Sequence, residues 1–219
     1  MSERMPPIIK MVDWYFMIDN VIDDPCLMGA DPESGDKVVE ALRTVFLDTY
    51  VHPCPSPNPA IRILTDTAAE WWAEMCYDMP PKQKARLSKG YCDYLEAGRK
   101  QIHNRNCRQL PDMETYLQIR EDSIGWWPCA VLIEYCQGFE LDDEALSHPL
   151  LLELQKNTVQ HVFLTNDVTS FKKEYMQGDF TNAVSLLYFR KLYDPTRDPD
   201  SPPPTLQGAV LEAIEMTEG

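Results

Sequence analysis

At 219 residues the chain is long enough for one compact domain with a real core and short for two. Hydrophobic residues at 44% and charged residues at 25% describe a soluble globular chain rather than a disordered one. A formal charge of −15 argues against nucleic acid or an anionic membrane as partner, but an acidic site can still hold a phosphate ester through divalent cations.

From the N-terminus, Ile8 to Asp23 is apolar over a wide face and is broken by Pro25, which predicts a largely buried helix. Asp13, Asp19 and Asp23 interrupt that stretch, so it does not read as a signal peptide. Gly29 to Gly35 reads as a turn before a helix from about Lys37 to Tyr50, and His52 to Pro59 carries four prolines and is a loop. Helical blocks follow over Ala60–Met79, Lys82–Cys107 and Met113–Gln137, separated by Pro80-Pro81 and Pro111. His148-Pro149 opens a long block from about Leu150 to Tyr193. A proline-rich acidic linker over Asp194–Pro204 and a short helix, about Leu206–Met216, close the chain, so residues 1–193 are the expected core and 194–219 an appendage.

Strand signals are nearly absent and the expected fold is all-α. No apolar run has bilayer length, and a cytoplasmic protein without a membrane span is the expectation. Seven cysteines form no C-x-x-C pair and are odd in number, which argues against a zinc cage or a disulfide framework.

Asn166, Ser170 and Glu174 stand at i, i+4 and i+8, so a helix stacks an amide oxygen, a hydroxyl and a carboxylate on one face. That oxygen-only set suits magnesium better than zinc. On the first helix Asp19 and Asp23 again stand at i, i+4, with Asp24 beside them. Val12, Phe16, Asp19 and Asp23 share the 4, 3, 4 spacing of Val159, Phe163, Asn166 and Ser170. Two such helices face to face would form an apolar pocket closed at one end by metal, suited to a hydrocarbon tail with a diphosphate head. Alone, each polar pair reads as a solvated helix face. Together, with apolar flanks that make unpaired carboxylates costly, they point to cation binding.

Between them lies Arg120, followed by Ser123, Ile124, Gly125 and Pro128. Pro128 removes the N–H that would bond the carbonyl of Ile124, so a kink there is expected to aim a bare carbonyl into the bundle.

These residues resemble the class I terpene synthases. Asn166-Asp167-x-x-Ser170-x-x-x-Glu174 matches that family's second metal motif, and Asp19-Asn20-x-x-Asp23 resembles its aspartate-rich motif. The stretch Tyr116 to Tyr135, with Trp127-Pro128-Cys129 and Leu132-Ile133-Glu134-Tyr135, is similar to fungal sesquiterpene cyclases, as is Lys173-Glu174 through Asn182. The resemblance implies a helical bundle around a central apolar cavity and three Mg2+ ions, with Asp19 and Asp23 on two of them and Asn166, Ser170 and Glu174 on the third. It implies a small-molecule prenyl diphosphate, farnesyl diphosphate by family default, with Arg120 and Lys173 donating to its phosphate oxygens. Arg120 takes the place of the diphosphate sensor, Ser123 of its linker and Ile124 of the effector carbonyl. Phe16 and Phe163, with Trp14 or Trp127, are the implied aromatic walls.

The chain departs from the family pattern at both ends. It starts almost at the aspartate motif and contains no Arg-Tyr dipeptide, so the expected bundle lacks some N- and C-terminal helices. Three readings follow: a sesquiterpene synthase, a catalytically inactive remnant that retains the helical core, and a prenyl chain-elongating enzyme. The last is disfavoured because such enzymes carry two aspartate-rich motifs, whereas the second motif here is Asn/Ser/Glu.

Overall fold

A computed structural model of the chain describes residues 4–23, 31–107 and 110–218; the side chains of Asp23 and Glu218 lie outside that description. The expectations placed on the Asp23 carboxylate, on Asp24 and on Cys26 therefore concern positions outside the described residues. Among the described residues there is no strand, and the helices are α1 (Met5–Asp23), α2 (Pro32–Phe46), α3 (Pro59–Cys76), α4 (Pro81–Asn106), α5 (Met113–Ser123), α6 (Trp126–Gln137), α7 (Asp143–Leu146), α8 (Pro149–Gln177), α9 (Ala183–Leu192) and α10 (Leu206–Glu218). None of them is long and apolar enough to cross a membrane.

The helix starts are written in short polar residues. Asp31 accepts from the N–H groups of Glu33 and Ser34 at the start of α2, Asp112 from Thr115 at α5, and Asn182 from Val184 at α9. Each cap satisfies an N–H that the helix itself leaves unbonded. Pro32, Pro59, Pro81 and Pro149 stand in first turns, where the missing proline N–H costs nothing.

One core joins α1, α2, α3, α4 and α6 around Trp14, Phe46, Trp71 and Tyr91, with the Phe46 and Tyr91 rings stacked at 4.5 Å. The indole N–H of Trp14 donates to the Leu64 carbonyl at 3.0 Å, so this large side chain is buried without an orphaned donor. A second core holds Tyr116, Val159, Phe163, Leu164, Ala183 and Leu186 between α5, α8 and α9. Ala209 and Ala213 of α10 pack on Val184 and Leu187 of α9, so the final helix belongs to the bundle beyond the proline-rich stretch.

Two long helical blocks of the sequence are broken. Met113–Gln137 divides at Gly125, whose φ of +73° is left-handed and stops α5. Pro128 does not make that break: it falls in the first turn of α6, where proline is tolerated, and packs against Gly90 of α4. A Cβ on Gly90 would lie 3.1 Å from Pro128 Cδ, so the absent side chain sets how closely α4 and α6 approach. The Leu150–Tyr193 block divides at Gly178, again left-handed at φ +79°, and the chain restarts at the Asn182 cap.

Candidate active site

A cavity of about 1130 Å³ opens between α1, α4, the α5–α6 break, α8 and the α8–α9 corner. Asp19 reaches it from α1, Asn166, Ser170, Lys173 and Glu174 from α8, and Arg120, Ser123 and Ile124 from the end of α5. Asp19 of the first helix and Asn166, Ser170 and Glu174 of the late helix thus line one cavity, together with the arginine and the lysine.

Arg120 is held from several sides. One terminal nitrogen, Nη2, donates to Asn166 Oδ1 at 3.0 Å and to Asp167 Oδ1 at 2.9 Å. The other, Nη1, reaches Ser123 Oγ at 3.4 Å, and Ser123 Oγ also accepts from the Gln101 amide at 3.1 Å. Burial alone would disfavour its charge, but the Asp167 carboxylate outweighs this and holds the Arg120 pKa above its ordinary value. Asp167 is itself buried and accepts from the Tyr116 hydroxyl and, at 3.0 Å, from the Ala183 N–H.

The apolar stripes differ from expectation. The buried face of α1 is Met11, Trp14, Ile18 and Ile22, so Val12 and Phe16 turn outward, Phe16 with 68% of its surface exposed. Phe16 lies on the cavity rim, while Val12 is not among the lining residues. Phe163 is wholly buried in the second core, its ring 6.0 Å from the Arg120 guanidinium carbon, and does not line the cavity. Trp14 is spent in the first core and Trp127 packs against the second; neither lines the cavity. For Phe163, Trp14 and Trp127 the physical reason is common. Aromatic side chains of this size bury where they displace most water, and here the cores compete successfully for them. The aromatic lining instead includes Tyr15 and Tyr94, in edge-to-face contact at 5.1 Å, with Phe180, Phe189 and Tyr193.

The donor set fits a hard divalent cation. Ser170 Oγ is buried and, among the described residues, without hydrogen-bond geometry to a partner, although it stands beside Glu174 and favours that carboxylate's charge. Burial pushes the Glu174 pKa up, only partly offset by Ser170 and by an Asn182 amide bond at 2.8 Å. An orphaned hydroxyl beside a carboxylate whose charge is under-compensated is the environment a cation would relieve. Among the described residues no three His, Cys, Asp or Glu side chains gather into a metal cluster.

Sequence reasoning missed Asn182, Tyr116, Tyr15, Tyr94 and Arg105 as site residues. Only Asn182 carried a local signal, a polar residue just before an apolar helical run. Arg105, on the cavity wall, donates to the Ile22 carbonyl at 3.2 Å and lies 3.7 Å from Asp179, so it spans from the end of α1 to the α8–α9 corner.

The family model of terpene synthase family 2, C-terminal metal binding, matches residues 10–191. Alpha-muurolene synthase of Coprinopsis cinerea is 30% identical over 187 residues, 84% of this chain and 43% of that protein. Pristinol synthase of Streptomyces pristinaespiralis is 31% identical over 173 residues, 78% of this chain and 45% of that protein. This chain spans about half the length of the curated relatives it matches. Germacradien-4-ol synthase from Streptomyces citricolor superposes with a TM-score of 0.75 at 22% identity, covering 100% of this chain and 64% of that one. Linalool/nerolidol synthase from Streptomyces clavuligerus superposes at 0.78 and 19% identity, covering 100% and 67%. The helical bundle is thus that of the class I terpene synthases. With the family's model spanning most of its length, from residue 10 to residue 191, the chain belongs to terpene synthase family 2, the C-terminal metal-binding family.

Proposed function

We propose that the chain works as a magnesium-dependent sesquiterpene synthase, ionising farnesyl diphosphate, releasing diphosphate and cyclising the carbocation. The observation that carries this reading is the meeting of Asp19, Asn166, Ser170 and Glu174 with Arg120 and Lys173 on one cavity. In this reading Asp19, with Asp23 expected beside it, holds two magnesium ions, and Asn166, Ser170 and Glu174 hold a third. Magnesium supplies the positive charge that offsets the departing diphosphate.

Arg120 and Lys173 donate to diphosphate oxygens, so negative charge gathers where donors already stand. The carbon–oxygen bond breaks heterolytically and its electron pair leaves on the diphosphate. The organic cation then faces the Tyr15 and Tyr94 rings, whose π-faces attract positive charge, and the helix end at Ile124, a site for carbonyl dipoles. Loss of a proton from the cyclised cation ends the sequence.

Purified protein incubated with magnesium and farnesyl diphosphate is expected to release a volatile hydrocarbon. Magnesium with inorganic diphosphate is expected to raise its melting temperature. Folded protein showing neither effect overturns the reading. One observation favours a second one, a non-catalytic remnant: the rim residue Phe16 is largely exposed, whereas a carbocation needs a dry wall. That remnant shows neither product nor stabilisation.

A further inference from the structure

We infer that Asn182, on the α8–α9 corner, is a positioning residue that fixes the Glu174 carboxylate for cation binding and ties it to the Arg120 anchor; this rests on the metal reading above. Asn182 is wholly buried, and each end of its amide has work to do. Its Oδ1 accepts from the Val184 N–H at 2.9 Å and caps α9. Its Nδ2 donates to Glu174 Oε2 at 2.8 Å and to the Asp167 main-chain carbonyl at 2.8 Å.

The orientation of that amide is dictated by its partners. The Val184 N–H can only donate, and the Asp167 carbonyl can only accept. Turning the amide over would set oxygen against oxygen at Asp167 and nitrogen against N–H at Val184. With its orientation locked, the amide presents a fixed N–H to Glu174. One carboxylate oxygen is thereby held, the plane of the group is set, and the second oxygen remains for a cation.

The helix end explains why such a brace is needed. Glu174 stands in the last turn of α8, where its carbonyl accepts from the Asp179 N–H just past the left-handed Gly178. Helix ends fray, and a carboxylate there samples several rotamers unless an outer partner selects one. Asn182 comes from the next helix, so it selects the rotamer and couples it to the Asp167 carbonyl. The Asp167 side chain in turn holds Arg120. Outer partners of this kind commonly change metal affinity 10- to 100-fold when removed.

Substitution can separate capping from bracing. Asn182→Ser keeps an oxygen able to cap α9 but is too short to span to Glu174. Asn182→Asp keeps the length and the cap, and replaces the amide donor by a carboxyl group. The test uses the full chain with manganese and inorganic diphosphate, followed by electron paramagnetic resonance well below the melting temperature. Glu174→Gln serves as the reference.

The expected result is a loss of manganese affinity of at least tenfold in Asn182→Ser and Asn182→Asp, with a broadened or shifted manganese spectrum. The double variant Asn182→Ser/Glu174→Gln should bind no more weakly than Glu174→Gln, because the brace acts only through Glu174. Native affinity in both Asn182 variants, with Glu174→Gln impaired, overturns the brace and leaves the metal reading standing. Additive losses in the double variant overturn it as well. Native affinity in Glu174→Gln removes the metal reading and the brace with it. A merely structural role for Asn182 predicts a lower melting temperature with an unchanged spectrum in the folded protein.

Discussion

Arg120 and Asp167 form a nearly buried ion pair at 2.9 Å, made across the boundary between α5 and α8. Asp167 lies in the Asn-Asp-x-x-Ser-x-x-x-Glu motif, yet its carboxylate is engaged by Arg120, Tyr116 and the α9 backbone. Its neighbour Asn166 is exposed and belongs to the cavity face. Adjacent residues on a helix point about 100° apart. The motif therefore combines two tasks, donors toward the cavity and a counter-charge toward the arginine.

Asp167→Asn keeps the shape of the side chain and removes that counter-charge. A charge left unpaired in a buried site typically costs about 3–5 kcal/mol. The variant is expected to lose stability of that order in urea denaturation. A loss below about 1 kcal/mol would mean that solvent reaches Arg120 and compensates it.

Glu134 makes a pH prediction. It is almost fully buried, and Arg86 grips it through two nitrogens at 2.6 and 2.8 Å while the Leu141 N–H donates at 2.9 Å. Burial alone would raise its pKa, but those donors outweigh burial and hold it below the usual glutamate value. A carboxyl lowered in the folded state binds its proton more readily when unfolded, so stability gained from it is present above the unfolded pKa of about 4.3. It is lost as pH falls through the lower folded value. Glu134→Gln should be less stable than the parent at neutral pH, and the difference should shrink on acidification through that window. A gap that stays constant with pH would show that Glu134 is not the group responsible.

Gly125→Ala tests the helix break beside the cavity. A left-handed conformation costs an L-residue about 1–2 kcal/mol, and the added Cβ would meet the Tyr15 ring at 3.1 Å. Thermal unfolding should show a loss of at least about 1 kcal/mol. Aromatic near-ultraviolet circular dichroism should report the displacement of Tyr15. An unchanged spectrum and midpoint would mean that the chain passes this corner without a left-handed residue.

The helical class was legible because proline and short polar caps punctuate the chain at Asp31-Pro32, Asn58-Pro59 and His148-Pro149. The hard-oxygen stripe was legible because 3.6-residue periodicity places Asn166, Ser170 and Glu174 together whatever their surroundings. What could not be read was the rotation of each helix about its axis. Val12 and Phe16 are apolar enough to face a core, as are Met11, Trp14, Ile18 and Ile22, and only the packing partners on α3 and α4 choose between the two faces. Asn182 escaped for a similar reason. Its contact with Glu174 depends on how α9 folds back over the end of α8, a tertiary choice that no local pattern states.

That rotation can be measured on α1 with two neighbouring aromatics. Trp14 is fully buried, donates to Leu64 and touches Phe46, Trp71 and Tyr91, whereas Phe16 is mostly exposed on the cavity rim. Removing Trp14 strips a large side chain from a packed core, so Trp14→Ala should cost about 3–5 kcal/mol. Phe16→Ala removes surface that water already reaches and should change stability by no more than about 0.5 kcal/mol. Chemical denaturation of the two variants decides the orientation of the helix, because the opposite rotation predicts the opposite ranking. Since Asp19 lies five residues past Trp14 and three past Phe16, the same ranking also fixes which way its carboxylate faces. Equal losses in the two variants would overturn this orientation, because residues two apart stand about 200° around the helix and cannot share one core face.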